Sequence, residues 1–365
     1  MTRSPARPGG IADGGTHSGL EIRLRAFRAV MAGVVAVAVT AVAGCGGGVE
    51  TVSPPPGPLR VGLVYDIGGR GDKSYNDAAA AGLDEAKRTL SRMRVREVAA
   101  APGEPAARKV ERVRALAEAG YDPIIAVGYS YAPALASIGP KFPRTRFAIV
   151  DEPTVSGPNI TNLLFASEQG SFLMGAVAAM KSRTGDVGFV GGNRSPLVRK
   201  FEVGYVQGVK HVNPRARIRI AYLTGPHDLS GFERPDKARQ AARRMYRAGA
   251  DVVYQVAGAS GAGVFRAAKK AGAWAIGVDY DQAKSADPDV RDVILTSMIK
   301  RIDVAVYDYL AGVADHTVTS GRVVYDLKLG GVDYTLTGGH ITDIQPRLEQ
   351  LKQEIIHGRV KVYPG

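Results

Sequence analysis

Residues 60–83 read R-V-G-L-V-Y-D-I-G-G-R-G-D-K-S-Y-N-D-A-A-A-A-G-L, and this stretch decides the fold. Val61 to Tyr65 is an apolar run of strand length, too short for a helix face. Asp66 ends the run, and Gly68, Gly69 and Gly71 turn the chain. Ser74-x-x-Asp77 then has the form of a capping box, in which a side-chain oxygen accepts from an orphan N–H at a helix start. From there Ala79, Leu83, Ala86 and Leu90 recur at helical spacing. A strand, a polar glycine turn and a capped helix make the ligand site of an open α/β sheet, beyond the carboxyl ends of its strands. Asp66, Tyr75 and Asn76 are expected to face that site.

An internal repeat extends this unit into an architecture. Ala119-Gly120-Tyr121-Asp122 leads into Pro123–Val127, and Ala248-Gly249-Ala250-Asp251 leads into Val252–Ala257. Ala148-Ile149-Val150-Asp151 is matched by Ala275-Ile276-Gly277-Val278-Asp279, and Val61–Val64 by Val187–Val190. The offsets are 129, 128 and 126 residues, so the chain carries two similar lobes. Amphipathic helices alternate with the strands in each, which implies parallel sheets covered on both faces. The expected fold is α/β, two doubly wound lobes around a hinged cleft. The second lobe follows the apolar helix Glu168–Arg183, expected at the lobe junction. After Val293–Met298, a helix from Lys300 and a strand-like Arg322–Leu329 are expected to cross back between the lobes. The reading assigns 59–165, about 300–320 and the C-terminal helix to one lobe, and 166–299 with about 321–340 to the other.

Residues 1–44 read as a leader. Arg23, Arg25 and Arg28 precede the short apolar run Ala29–Ala43, and Val42-Ala43-Gly44-Cys45 resembles a lipobox. Cys45 is the only cysteine, so the chain forms no internal disulfide and no CxxC site. Residues 45–58, rich in Gly and Pro, read as a tether. The formal charge is +13, of which residues 1–44 supply +3 and the remainder +10. Lys and Arg lack the interleaved aromatics of a nucleic-acid surface, so a basic face beside an anionic membrane is expected instead.

Motifs for catalysis are near misses. Lys73-Ser74 matches the end of a phosphate loop, but Asp72 stands where its glycine belongs and would repel phosphate. A calcium motif of the nucleoside hydrolase kind fails at Val64 and Gly71. Gly258-Ala259-Ser260-Gly261-Ala262-Gly263 follows a strand and opens the helix Val264–Lys270, in an order unlike the dinucleotide fingerprint. Its N–H groups could meet ligand oxygens or simply turn the chain. Ser195-Pro196 reads as an N-cap and first helical residue, placing Phe201 early in its helix, as core or as ligand platform. Asp151 and Asp279 end equivalent strands and Asp281 lies just beyond, as helix caps or as site carboxylates, with Lys300 a natural counter-charge for one of them. The six histidines are dispersed, and neither metal cluster, cofactor site nor catalytic dyad is read from the chain.

These residues together resemble the basic membrane protein family of bacterial substrate-binding lipoproteins, also called purine nucleoside receptor-like. The resemblance is carried by G-L-V-Y-D-I-G-G-R-G-D-K-S-Y-N-D (62–77), N-I-T-N-L-L-F-A-S-E-Q-G-S-F-L-M-G (159–175), P-L-V-R-K-F-E-V-G-Y-V-Q-G-V (196–209), W-A-I-G-V-D-Y-D-Q (274–282) and L-T-S-M-I-K-R-I-D-V-A-V-Y-D (295–308). It implies a type I periplasmic-binding fold, no enzymatic activity, and delivery of a nucleoside to an ABC permease and its ATPase. It also implies a monomer, lipid-anchored at Cys45 to the extracytoplasmic face of the cell membrane. By the same resemblance Tyr75 and Phe201 stack on the base, Asn76 reads it, and Asp279 with Lys300 holds the sugar. Asp66, Asp151 and the Gly258 turn then line the cleft. Tyr75 departs from the commoner phenylalanine, and Gly-Ala-Ser-Gly from a commoner Gly-Gly-Thr-Gly. A flavin, a sugar or a signalling ligand on the same fold is the alternative.

Overall fold

The computed structural model describes residues 57–365 apart from Ser91; the leader and Cys45 lie outside them. The elements of the first half are β1 (Leu59–Tyr65), α1 (Tyr75–Thr89), β2 (Met93–Ala99), α2 (Ala106–Glu118), β3 (Ile124–Val127), α3 (Ala132–Ile138), β4 (Phe147–Val150) and β5 (Ile160–Phe165). There follow α4 (Ser167–Lys181), β6 (Asp186–Asn193), α5 (Pro196–Val212), β7 (Arg217–Thr224), α6 (Pro235–Arg247), β8 (Val252–Val256), α7 (Gly261–Ala271) and β9 (Trp274–Asp279). The last are β10 (Ile294–Lys300), α8 (Ile302–Ala314), β11 (Gly321–Tyr325), β12 (Val332–Tyr334) and α9 (Gln345–Ile356).

Two six-stranded sheets result, ordered β2-β1-β3-β4-β5-β11 and β7-β6-β8-β9-β10-β12. The orders correspond strand for strand, which is the internal repeat in three dimensions. Among the described residues all pairings between these strands are parallel except β10 with β12. Every residue of β3, β4 and β8 is buried, as parallel strands sandwiched between helices must be. The helices supply matching apolar faces, such as Val113 and Leu116 on α2 and Ala238, Ala241, Ala242 and Met245 on α6. α4 is buried along Gly170–Ala178, which explains its uniformly apolar sequence.

Among the described residues the chain passes between lobes three times, at β5 to α4, β10 to α8 and β11 to β12. Three expectations change here. Lys300 closes β10 instead of opening the crossover helix. Residues 321–325 complete the first sheet, not the second, because β5 offers an open edge to which β11 pairs from Gly321↔Thr161 to Tyr325↔Phe165. The C-terminal helix sits with the second lobe: Lys352 donates to Asp333 of β12 at 2.8 Å, and Lys181 of α4 pairs with Asp343, two residues before the helix. α8 does return to the first lobe, packed on α1 at Gly82. A Cβ at Gly82 would fall 2.2 Å from the Asp303 carbonyl oxygen, so the close helix approach requires glycine.

Candidate functional site

The glycine turn after β1 is built by two carboxylates. Asp72 accepts from the backbone N–H groups of Ser74 (2.9 Å), Asn76 (2.9 Å) and Asp77 (3.1 Å). Asp77 reaches back to Gly71 N–H (2.7 Å) and Lys73 N–H (2.9 Å). The start of α1 is therefore capped by Asp72, and the expected cap from Ser74 is absent. Asp72 stands two residues earlier and satisfies three donors at once. Ser74 Oγ is thereby released, and it donates to Asp279 Oδ2 across the cleft at 2.8 Å.

Asn76 is 1 % exposed and its amide is spent on the same turn. Nδ2 donates to Ile67 O (3.1 Å) and Asp72 Oδ2 (3.0 Å), while Oδ1 accepts from Asp66 N–H (3.2 Å). Both donors and the acceptor have partners before any ligand arrives. Asp66 is held equally firmly. It accepts from Ile67 N–H (2.9 Å), Ser130 Oγ (2.9 Å) and Lys109 Nζ (3.3 Å).

The ends of β4 and β9 carry the repeated aspartates. Asp151 and Asp279 are both buried and both left-handed, at φ 61° and 64°. Lys300, 1 % exposed at the end of β10, forms an ion pair with Asp151. Its Nζ also lies 5.5, 5.0 and 5.2 Å from the ring centres of Tyr75, Phe165 and Phe201. Burial pushes the Asp279 carboxyl up, while Lys300 and the Ser74 hydroxyl pull it down.

These groups converge on one interlobe cavity, with about 690 Å³ of empty space including its mouth. Asp66, Tyr75, Asn76, Asp151, Phe201, Gly258, Asp279 and Lys300 all line it. The wall is thus aromatic and apolar on some sides and carboxylate-rich on others, as small-molecule sites commonly are. Tyr75 Oη donates to Val150 O at 3.5 Å, so the extra hydroxyl finds a partner. Phe201 lines the cavity while belonging to the main hydrophobic core. Ser195 accepts from Val198 N–H at 3.4 Å and sets the start of its helix.

The lobes meet around this space. Lys73 pairs with Asp287 (3.1 Å), Gln282 donates to Lys73 O (3.2 Å), and Asn193 donates to the Tyr129 hydroxyl (2.8 Å). Sequence reasoning missed Tyr129, Phe232 and the buried Lys109. Tyr129 follows the end of β3 and the strand-end rule could have found it. Phe232, in a turn before α6, and Lys109, on a helix face, carry no local signal. Among the described residues no cluster of three or more His, Cys, Asp or Glu side chains is placed to hold a metal. No helix among them is long and apolar enough to cross a membrane.

Two repeated α/β lobes closed on a lined cavity, with strand-end side chains turned toward it, define a two-lobed binding protein. The chain belongs to the Bmp family, described as ABC transporter substrate-binding protein PnrA-like, whose sequence profile matches residues 59–364. It is accordingly a transport-system binding component and not an enzyme. It is 30% identical over 317 residues to the ABC transporter nucleoside-binding protein BmpA of Lactococcus lactis, covering 83% of this chain and 89% of that one. It is 31% identical over 325 residues to the CD4+ T-cell-stimulating antigen of Listeria monocytogenes, covering 83% and 88%. A solute-binding protein of an ABC transporter system from Aeropyrum pernix K1 superimposes with a TM-score of 0.74 at 27% identity, covering 84% and 94%.

Proposed function

We propose that this protein captures a purine nucleoside, or a close analogue, outside the cytoplasm and delivers it to an ABC permease. The observation that carries the reading is the cavity's two-ended chemistry. Tyr75 and Phe201 offer aromatic faces, while Asp279 and Lys300 offer an acceptor and a cation for hydroxyl groups. Base–aromatic stacking contributes roughly 1–3 kcal/mol per base and tolerates any base. A carboxylate that accepts from ribose hydroxyls adds charge-assisted bonds of about 1.5–3 kcal/mol each. The nucleoside-binding relative from Lactococcus supports the same ligand class.

Asn76 enters this reading differently from Asp279. It meets a base only by exchanging one of its three internal bonds, so its first task is to hold the turn that carries Tyr75. Calorimetric titration with adenosine, inosine, guanosine, the free bases, ribose and riboflavin tests the proposal. Nucleoside binding at micromolar affinity or tighter, about −8 kcal/mol, supports it. Binding of riboflavin or ribose alone would overturn it.

The same reading places the protein on the membrane surface through a lipid on Cys45. Stable anchoring takes about two acyl chains, which a diacylated cysteine supplies. Lipoprotein relatives from Pyrococcus support this. Cys45→Ser should release the protein or block its processing, and unchanged membrane retention of that variant would count against the anchor.

A further inference from the structure

The charge excess of the chain is concentrated in one stretch of its sequence. Residues 186–250 hold thirteen Lys and Arg against five Asp and Glu, a net +8 of the +10 beyond residue 44. They run through β6, α5, β7 and α6, where β7 is the edge strand of the second sheet and α5 and α6 cover its two faces. Among the described residues only Arg219 and Arg239 of these thirteen have a carboxylate within ion-pair distance, Asp186 and Asp236. The acids nearby are engaged elsewhere: Glu202 accepts from Tyr222, and Asp228 caps Ser230.

At the end of the lobe away from the cleft, Lys210, Arg215, Arg217, Arg244 and Arg247 are exposed, and Arg219 stands among them. Between β7 and α6 lies a groove with an apolar floor of Ile220, Ala221, Ala241 and Met245, flanked by Arg219 and Arg244. Ile220 is 44 % exposed. An apolar floor between guanidinium groups is complementary to an anionic amphiphile. A duplex offers phosphates but nothing for the floor.

We infer that this edge of the second lobe rests on an anionic lipid surface, its arginines on the headgroups and its groove toward the acyl boundary. The inference draws on the extracytoplasmic reading above but concerns a surface remote from the ligand cavity. Each basic residue at an anionic surface strengthens binding by roughly 1 kcal/mol, about fivefold, and salt weakens it.

The test uses the full-length chain carrying Cys45→Ala, so that no acyl chain is attached. Its co-sedimentation is measured with phosphatidylcholine vesicles, with and without phosphatidylglycerol. A second chain adds Arg215→Gln, Arg217→Gln, Arg244→Gln and Arg247→Gln; both carry the same leader, so their difference reports the edge. The parent should prefer the anionic vesicles in a salt-dependent way, and the variant should partition at least roughly tenfold less. An unchanged melting temperature and nucleoside affinity in the variant separate this result from misfolding and from the cavity's own function. Equal partitioning of the two chains, or no preference for anionic vesicles, overturns the inference. Binding to a DNA duplex without any vesicle preference overturns it too and marks a nucleic-acid surface.

Discussion

Asp151 and Asp279 stand 128 positions apart at the ends of equivalent strands, in the same left-handed backbone conformation, yet have different partners. Asp151 is neutralised by Lys300, whereas Asp279 accepts from the Ser74 hydroxyl and keeps its other oxygen free of hydrogen bonds from the described residues. A non-glycine residue at positive φ carries a conformational cost of order 1–3 kcal/mol, held in place by its surroundings. The repeat thus places two strained acids on the cavity wall, and the partners divide their work.

The Lys300–Asp151 pair is buried on both sides, so removing the cation alone should be severe. Lys300→Met should cost about 3–5 kcal/mol of stability, because Asp151 is left charged without a counter-ion. Adding Asp151→Asn should restore a large part of that loss. Denaturant melts of the three chains decide the matter, and a single mutant as stable as the parent would refute the pairing.

Asp279 should separate sugars from bases. Asp279→Ala is expected to weaken nucleosides by tenfold or more, from a lost charge-assisted bond of about 1.5–3 kcal/mol. Free bases should bind with nearly parental affinity. Equal losses for nucleoside and base in calorimetry would place the carboxylate's role elsewhere.

The aromatic walls make a graded prediction. Tyr75→Ala should lower nucleoside affinity by about five- to 150-fold, while Tyr75→Phe keeps most of it, since the ring face matters more than the hydroxyl. Phe201→Ala should lose affinity and stability together, because that ring is 2 % exposed and packs in the core as well as on the cavity. Its folding cost is expected near 3–5 kcal/mol. A folded Phe201→Ala chain with unchanged nucleoside affinity would remove the stacking assignment.

Asp72 should leave a mark on the pH dependence of folding. Burial pushes its carboxyl from 3.8 up to about 6, against the pull of the N–H groups of Asn76, Ser74 and Asp77. The folded chain therefore holds this proton more tightly than the unfolded chain. The group's contribution is fully present below about pH 4 and is lost as pH rises through about 6, amounting to roughly 3 kcal/mol. Asp72→Asn keeps a capping oxygen but cannot titrate. Across this range the parent should lose stability relative to the variant, and parallel stability curves would exclude the effect.

Much of the fold was legible because its signals are local or repeated. Short apolar runs ending in Asp, glycines at helix ends and three matched offsets are enough to define two parallel lobes. The cavity wall followed from the strand-end rule applied to Asp66, Asp151 and Asp279. What escaped depends on partners distant in sequence. Nothing local says that β11 pairs with β5, since either sheet could accept a five-residue strand. Nothing local hands the cap from Ser74 to Asp72, and only that exchange frees the serine hydroxyl for Asp279. Asn76 has the composition of a ligand reader, and its three internal bonds depend on how the glycine turn folds back. The excess of Lys and Arg reads from the sequence as a basic face, but which face carries it needed β7 to be placed at a sheet edge.

The crossing of β11 and β12 has a consequence for biosynthesis. Each sheet receives an edge strand from the stretch 321–334, close to the end of the chain. A nascent polypeptide synthesised only as far as residue 320 has two unfinished sheets, each with an exposed row of unpaired backbone groups. Neither sheet is complete until this last stretch of the chain has been synthesised, the first at Tyr325 and the second at Tyr334. For the extracytoplasmic delivery proposed above that delay matters, since a translocation channel threads extended polypeptide and a finished lobe would block it.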